Sequence, residues 1–226
     1  MITFNVIHRT FQIRFGGATG TCFTIDLDGR QYLVTAKHCV AGLTDGDKIE
    51  IFQNNNWQVI PVSLVAHGAG DVDVSVLAPP QQLSPAHPLP PTSANIVYGQ
   101  DVYFLGFPFG LFGDSGDLNY GFPFPLVKKA ILSAIELGPN AVMLLDGLNN
   151  PGFSGGPVVF TKPGLTNIIY SVAAVISAYR FNPVHVHHAG TPTPLTVNEN
   201  TGIIIAYPIN HAVRLIEANP IGFMLP

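Results

Sequence analysis

The sequence predicts an all-β fold of two six-stranded antiparallel β-barrels, followed by a short C-terminal helix. The 226 residues are 47% hydrophobic and rich in Gly (23) and Pro (20), so short apolar runs alternate with turn-forming residues. A Pro-rich stretch, residues 78–95, divides these runs into two groups of about six. Only the end of the chain has the apolar spacing of a helix. A single β-sandwich is the alternative that these observations leave open.

Most of the predicted strands are runs rich in Val, Ile, Phe and Tyr that are bounded by Gly, Pro, Asn or Asp. In chain order the predicted strands are Thr10–Phe15, Thr21–Asp26, Gln31–Thr35, Lys48–Phe52, Gln58–Ala66, Val72–Leu77, Asp101–Leu105, Val127–Ile135, Ala141–Leu145, Pro157–Phe160, Asn167–Ala178 and Gly202–Ala206. We therefore expect one domain over 1–226, with an N-terminal barrel over about 1–80, a linker over about 78–96, and a C-terminal barrel and helix over about 97–226.

The helix is predicted within 208–220, PINHAVRLIEANP. Pro208 suits the first turn of a helix, where its missing N–H costs nothing. A mostly one-sided apolar face is formed by Ile209, Val213, Leu215 and Ile216.

Composition and charge argue against several function classes. The net charge is −4 and no Lys/Arg cluster is present, so we expect no nucleic-acid partner. No apolar run approaches the ~18 residues of a membrane span. The N-terminus lacks the pattern of a signal peptide, which favours a cytoplasmic location. No motif implies a cofactor.

Three residue types in chain order suggest nucleophilic catalysis. His38 directly follows a predicted strand, and Asp71 and Asp73 share one face of the alternating run GDVDVSVL, so alternation does not choose between them. Ser154 lies in NNPGFSGGPVVF. A serine hydroxyl becomes a nucleophile when an imidazole accepts its proton and a carboxylate orients that imidazole.

The stretch around Ser154 has two further interpretations. It could be a simple Gly-Ser turn, and it also fits the nucleophile elbow G-x-S-x-G of the α/β-hydrolases. An elbow serine is followed by a helix, whereas GGPVVF predicts a turn and a strand. This context disfavours the elbow.

Several motifs together resemble the chymotrypsin/trypsin superfamily. His, Asp and Ser follow in that order in TAKHC, DVSVL and GFSGGP. Within the superfamily, the chain is most similar to the protease domain of bacterial HtrA/Deg-type trypsin-like peptidases, without their PDZ domains. The motifs that resemble this family are GTCFTI (20–25), LGFPFGL (105–111), VKKAILSAI (127–135), DGLNNPGFSGGP (146–157) and GIIIAYPIN (202–210). They extend over nearly the whole chain, and the resemblance suggests a bacterial source.

The resemblance implies a catalytic triad of His38, Asp73 and Ser154. Asp73 is favoured over Asp71 because the family's apolar-small-apolar-Leu pattern follows it.

The resemblance also implies an oxyanion hole formed by the backbone amides of Gly152 and Ser154, with Phe153 between them. A glycine before the serine lets these amides turn inward. Phe153 stands where trypsins have Asp and HtrA proteins usually have Asn. The sequence therefore leaves open whether the hole is formed at rest.

By the same resemblance, Leu148 forms the floor of the specificity pocket, and Ser177, Ala178 and Tyr179 form its walls. Leu148 carries no charge, so we expect small or medium apolar residues before the scissile bond. Cleavage after Lys or Arg is not expected.

Three more features have more than one interpretation. Cys22 and Cys39 resemble in position a pair that forms a disulfide in many relatives, and the compartment would decide their redox state. His185 and His187 could share one face as a metal pair or recognise an acidic residue, but a polar loop is favoured and we expect no metal site. The loop 106–125 is Phe- and Gly-rich and could fold over its own aromatic residues. The family resemblance implies the alternative, a loop that contacts a regulatory partner or a second copy.

We therefore expect a serine endopeptidase that hydrolyses proteins or peptides. The alternatives are a catalytically silent binding module with the same fold and a protease that is active only with a partner. An esterase is a minor alternative.

Overall fold

The N-terminal half of the protein is a curled antiparallel sheet. The computed structural model describes residues 2–161 and 169–226. The strands of this half are β1 (Thr10–Phe15), β2 (Ala18–Leu27), β3 (Arg30–Thr35), β4 (Lys48–Gln53), β5 (Asn56–Pro61), β6 (Ser63–His67) and β7 (Ser75–Ala78). They pair in the order β5-β4-β1-β2-β3-β7-β6.

The C-terminal half is a closed barrel of six strands. They are β8 (Asp101–Gly106), β9 (Leu126–Glu136), β10 (Val142–Asp146), β11 (Pro157–Thr161), β12 (Tyr170–His188) and β13 (Thr191–Pro208). The barrel closes in the order β10-β13-β12-β11-β8-β9. A last short strand, β14 (Phe223–Met224), returns to the N-terminal half and pairs with β3. The predicted double β-barrel is confirmed, with eight strands in its first sheet.

Two helices flank the barrels. The first, α1 (Phe4–Ile7), precedes β1 and was not predicted. The second, α2 (Asn210–Ala218), lies within the predicted range 208–220 and packs against β6 and β7 of the other half. The Asn219 side-chain amide then donates to the Val65 carbonyl oxygen at 2.9 Å. These contacts hold α2 and the residue after it, Asn219, against the N-terminal sheet.

The apolar core has three parts. One cluster fills the N-terminal sheet around Phe11, and a second fills the C-terminal barrel around Phe104. The third lies between the two halves and combines residues such as Tyr32 and Val172 from opposite sides of the linker. Burial of this shared cluster stabilises the contact between the two halves.

The predicted strand Gln58–Ala66 is interrupted. Pro61 has no N–H to donate to a ladder, and the Val62 N–H donates instead to the Asp47 carbonyl oxygen at 2.9 Å. The apolar run that was predicted as one strand therefore forms two strands, β5 and β6.

The predicted strand Val72–Leu77 is also shorter in the structure, because β7 begins only at Ser75. Residues 68–74 form a tight loop in which the Gly68 N–H donates to the Val74 carbonyl oxygen at 2.7 Å. Strand alternation therefore does not govern Asp71 and Asp73. The first two residues of the predicted strand Asn167–Ala178 lie outside the described part of the chain.

β12 and β13 extend far beyond the predicted strands. Past Tyr179 they leave the barrel as a two-stranded outer ribbon, residues 179–200, closed by a turn at Ala189 and Gly190. Both turn residues have positive φ (48° and 79°), as a two-residue hairpin turn requires.

A buried arginine, Arg9, connects β2 to the linker through an ion pair and a hydrogen bond. The Arg9 guanidinium is 1% exposed and donates to both carboxylate oxygens of Asp26, at 3.0 and 2.6 Å. It also donates to the His87 carbonyl oxygen at 2.6 Å. Arg9 therefore fixes the linker against the N-terminal sheet.

We expect Arg9→Met to lower the free energy of unfolding by about 1.5–3 kcal/mol, because the partly buried Asp26 carboxylate and the His87 carbonyl oxygen would lose their charged donor. Urea denaturation monitored by circular dichroism measures this loss. Arg14→Met is the matched control, since the Arg14–Glu50 pair is about one-third exposed and solvent screening leaves such a pair little net contribution to stability. Equal losses in the two variants would contradict the prediction.

Candidate active site

His38 and Asp73 form a close pair at the edge of the N-terminal sheet. His38 lies on a single 3-10 turn, Lys37–Val40, directly after β3, and Asp73 lies just before β7, which pairs with β3. The His38 Nδ1 donates to Asp73 Oδ2 at 2.7 Å, and the His38 backbone N–H donates to Asp73 Oδ1 at 2.9 Å. The carboxylate therefore fixes both the ring and the backbone of His38.

The loop that carries Asp73 is held from two sides. The Lys37 ammonium donates to the carbonyl oxygens of Gly68 and Gly70, at 3.0 and 2.6 Å. From the C-terminal barrel, the Tyr207 hydroxyl donates to the Asp71 carbonyl oxygen at 2.6 Å. Asp71 is exposed, so the structure brings Asp73 and not Asp71 to His38.

This pairing shifts the titration of both groups. The hydrogen bond to Asp73 raises the pKa of His38 above its ordinary value. Burial disfavours the Asp73 carboxylate, but hydrogen bonds from His38 and Ser177 outweigh burial and leave the pKa of Asp73 lowered. The geometry therefore favours an ionised carboxylate beside the imidazole.

Ser154 joins this pair through Ser177. The Ser154 hydroxyl donates to the Ser177 carbonyl oxygen at 2.9 Å, and the Ser177 hydroxyl donates to Asp73 Oδ2 at 2.5 Å. Ser177 is 6% exposed and belongs to β12 of the C-terminal barrel. The family resemblance placed Ser177 only in the pocket wall, and its contact with Asp73 was not predicted.

The backbone before Ser154 has a defined orientation. The Phe109 N–H donates to the Pro151 carbonyl oxygen at 2.8 Å, so the planar peptide directs the Gly152 N–H to the opposite side. Gly152 has φ +104°, and a Cβ there would lie 2.3 Å from the Phe107 carbonyl oxygen. Within the described part of the chain, neither the Gly152 nor the Ser154 N–H donates to an acceptor.

Phe153 anchors the serine loop with its side chain. It is fully buried, and its ring meets that of Phe104 edge-on, with the centroids 4.9 Å apart. Its backbone N–H donates to the Asn150 carbonyl oxygen at 3.2 Å. The structure therefore does not group this amide with those of Gly152 and Ser154.

Thr21 of β2 connects the serine loop to the N-terminal half. Its N–H donates to the Ser154 carbonyl oxygen at 2.8 Å, and its hydroxyl donates to the Gly152 carbonyl oxygen at 2.7 Å. The Phe107 N–H donates to the same hydroxyl at 3.2 Å, and Thr35 donates to the Thr21 carbonyl oxygen. One buried residue thus fixes the loop opposite His38.

The remaining predicted pocket residues lie beside the serine loop. The Leu148 side chain is 51% exposed, Ala178 is exposed and Tyr179 is half-buried. The Lys128 ammonium donates to the Leu148 carbonyl oxygen, and the Asn149 side-chain amide donates to the Ala178 carbonyl oxygen at 3.2 Å. Lys128 and Asn149 brace this loop, although no sequence pattern marked either residue as functional.

Two further predictions concern residues outside the His-Asp-Ser group. Cys22 and Cys39 are both buried and are free thiols in this structure, and a bridge between them stays a prediction. His185 and His187 lie on the outer ribbon, where His187 Nδ1 is 3.1 Å from the His185 carbonyl oxygen. Over residues 2–161 and 169–226, no group of three or more His, Cys, Asp or Glu side chains is placed to hold a metal ion.

No helix among the described residues combines the length and the apolar character that crossing a membrane requires.

Comparisons with known proteins agree with this geometry. The sequence profile of the trypsin-like peptidase domain family matches residues 20–163. Protease Do-like 1, a chloroplastic protein of Arabidopsis thaliana, is 28% identical over 168 residues, which are 73% of this chain and 36% of that protein. The chain thus spans about a third of the length of this curated relative.

Solved structures share the fold. The HtrA-type protease AlgW S227A, solved with a tripeptide, superposes with a TM-score of 0.61 at 20% identity, covering 96% of this chain and 63% of that one. The Rv3671c protease of M. tuberculosis H37Rv, in an inactive form, gives a TM-score of 0.57 at 18% identity, covering 96% and 88%. Because the family profile covers more than half of the sequence, the chain belongs to the trypsin-like peptidase family.

Proposed function

We propose that this protein is a serine endopeptidase that hydrolyses peptide bonds with Ser154 as nucleophile, His38 as general base and Asp73 as the group that orients His38. The observation that carries the proposal is the chain of hydrogen bonds from His38 to Asp73, Ser177 and Ser154. It joins the three side chains across the boundary between the two halves. Membership of the trypsin-like peptidase family supports the same chemistry.

The reaction begins when the Ser154 hydroxyl turns from the Ser177 carbonyl toward the imidazole. Its Oγ attacks the peptide carbonyl carbon as His38 Nε2 takes the proton, and Asp73 stabilises the imidazolium that results. The amides of Gly152 and Ser154 then donate to the oxyanion. His38 returns the proton to the leaving amine, and an acyl-enzyme remains on Ser154. Water attacks this ester with the same base and releases the second product.

The substrate preference that we propose is a small or medium apolar residue before the scissile bond. Leu148 offers no carboxylate to a basic side chain, and the Lys128 ammonium on its carbonyl oxygen repels one. The substrates that we propose are proteins and peptides, because the proposed reaction hydrolyses peptide bonds.

A second candidate is a protease that a partner controls through the 106–125 loop. Large apolar side chains of this loop are exposed, among them Phe109 (67%), Leu118 (70%) and Tyr120 (61%). The Phe109 N–H also donates to the Pro151 carbonyl oxygen, which belongs to the same peptide group as the Gly152 N–H. A partner that moves this loop would therefore change the orientation of the Gly152 N–H. A regulatory partner or a second copy could therefore act on the oxyanion hole. No contact among the described residues specifically favours a silent binding module or an esterase.

A serine-directed fluorophosphonate probe tests these candidates. We expect the isolated protein to be labelled, because the Gly152 and Ser154 amides have no competing acceptor among the described residues. Ser154→Ala abolishes labelling and lowers kcat by a factor on the order of 10⁴–10⁶. Ser115→Ala, in the 106–125 loop, is the control that keeps the label. Labelling only after a partner is added would favour the controlled protease, and labelling that persists in Ser154→Ala would contradict the proposed nucleophile.

The pH profile tests the His38–Asp73 pair. The base must be neutral to accept a proton, and its pKa is raised, so kcat/KM rises with pH through a midpoint above the ordinary histidine value of 6.5. In Asp73→Asn this midpoint moves to lower pH, and kcat falls by about 10⁴. Asp71→Asn, two residues away and exposed, is the control for charge. The assignment is wrong if Asp71→Asn reproduces the loss.

Cleavage-site profiling on a denatured proteome tests the preference. We expect Ala, Val, Leu and similar residues before the scissile bond, because neither Leu148 nor Lys128 attracts a cation. Cuts mainly after Lys or Arg, or mainly after Asp or Glu, would contradict the proposed pocket. Ser154→Ala processed in parallel identifies cuts made by other proteases.

A further inference from the structure

Lys128 faces the inside of the C-terminal barrel, where a lysine side chain is rare. It stands opposite Phe104 in the β8–β9 ladder, and paired residues of neighbouring strands point to the same face of a sheet. Phe104 is fully buried in the barrel core. Lys128 is half-buried, whereas its neighbour Lys129 is exposed and forms an ion pair with Asp101 at 2.7 Å. The two adjacent lysines therefore lie on opposite faces of β9, and of the two only Lys128 points into the barrel.

The Lys128 ammonium contacts three residues of the serine loop, residues 147–154. It donates to the Leu148 carbonyl oxygen and to Asn150 Oδ1, the latter at 3.1 Å. It also lies 5.8 Å from the centroid of the Phe153 ring, within the range of a cation–π contact. One side chain from β9 therefore contacts the loop near its start, in its middle and directly before Ser154.

The partners of the Lys128 ammonium are neutral. Over residues 2–161 and 169–226, Lys128 forms no ion pair with a carboxylate. Burial lowers the pKa of Lys128 below the ordinary lysine value, because the ammonium has lost part of its hydration. A half-buried cation without a counter-ion gains little net stability for the fold. The contacts of Lys128 therefore contribute little to fold stability, and what they determine is the conformation of the loop.

Asn150 is the first residue of a β-turn whose central peptide carries the Gly152 N–H. The Phe153 N–H closes this turn by donating to the Asn150 carbonyl oxygen at 3.2 Å. Pro151 is the second residue, and Gly152 is the third with φ +104°, which is the pattern of a type II turn. A type I turn between the same ends has its central peptide rotated, so the Gly152 N–H would point the other way. The orientation of this N–H therefore depends on how firmly the first residue of the turn is held.

We propose that Lys128 is a positioning residue, whose ammonium holds Asn150 and the Phe153 ring so that the turn between them directs the Gly152 N–H toward the oxyanion. This inference rests on the proposed function, in which the Gly152 amide stabilises that oxyanion. It also gives Phe153 a role of its own, because an aromatic ring at this position offers the ammonium a face to contact. Lys128 acts through the loop, and the reacting groups remain those of the triad.

Steady-state kinetics on a chromogenic peptide with Val before the scissile bond test the proposal. Lys128→Met removes the ammonium and keeps the length of the side chain. We expect kcat to fall about 10- to 100-fold, because a misplaced oxyanion donor weakens only the transition state, while KM stays within about threefold. Lys129→Met is the matched control, since this neighbour is exposed and points away from the loop. It keeps kcat within about twofold of the wild type.

Two further measurements separate positioning from support of the fold. A peptidyl trifluoromethyl ketone forms a bond from its carbonyl carbon to Ser154 Oγ, the hydroxyl proton passes to His38, and the ketone oxygen becomes the oxyanion. Its inhibition constant rises in Lys128→Met by the factor by which kcat/KM falls. The thermal midpoint of Lys128→Met stays within about 3 °C of the wild type, because the lost contacts contribute little to fold stability.

Hydrogen exchange of the Phe153 amide, followed by NMR, tests the loop without any need for catalysis. We expect it to accelerate about tenfold or more in Lys128→Met and not in Lys129→Met, because the bond that closes the turn then opens locally. If the wild type neither cleaves peptides nor binds the ketone, the proposed function fails, while this exchange still decides whether Lys128 holds the turn. The inference is overturned if exchange is unchanged in Lys128→Met, if only KM changes, or if Lys129→Met loses as much activity.

Discussion

The structure of the site depends on one buried threonine between the two halves. Thr21 belongs to the N-terminal sheet, yet its N–H and hydroxyl bind the carbonyl oxygens on either side of Phe153. The Thr21 hydroxyl also accepts a hydrogen bond from the Phe107 N–H. The loop after β8 and the loop before Ser154, which together orient the Gly152 amide, therefore both contact this one side chain. His38 and Asp73 come from the sheet that contains Thr21. The relative position of His38 and Ser154 is therefore set by hydrogen bonds as well as by apolar burial, and hydrogen bonds fix direction in a way that a shared core does not.

The charges of Asp73 and His38 depend on how far each side chain is buried and on the hydrogen bonds that it makes. Asp73 is taken from water but is compensated by hydrogen bonds from His38 and Ser177, so its charge persists. His38 remains half-exposed, with its ring held by the carboxylate on one side and open to a substrate on the other. Ser177 contacts both Asp73 and Ser154, and it links the His38–Asp73 pair to Ser154 without itself carrying a charge.

Much of this architecture could be predicted from the sequence, because apolar runs and turn residues report burial directly. The prediction failed where tertiary contacts replaced strand pairing, as in the loop before Ser75 that Lys37 and Tyr207 hold. The ribbon beyond Tyr179 was missed for another reason: it is exposed on both faces, so no apolar alternation marks it. The role of Ser177 could not be predicted, because a small polar residue at the end of a buried strand gives no sign of what lies opposite.

The contacts of α2 and β14 with the N-terminal sheet have a consequence for folding during synthesis. Both elements follow the barrel that carries Ser154, yet they cover and extend the sheet that carries His38 and Asp73. During synthesis, the first sheet therefore lacks one strand and its helical cover until α2 and β14 have left the ribosome. The two halves are completed together, and a nascent chain with only its first half outside the ribosome lacks both Ser154 and the elements that complete the sheet of His38 and Asp73.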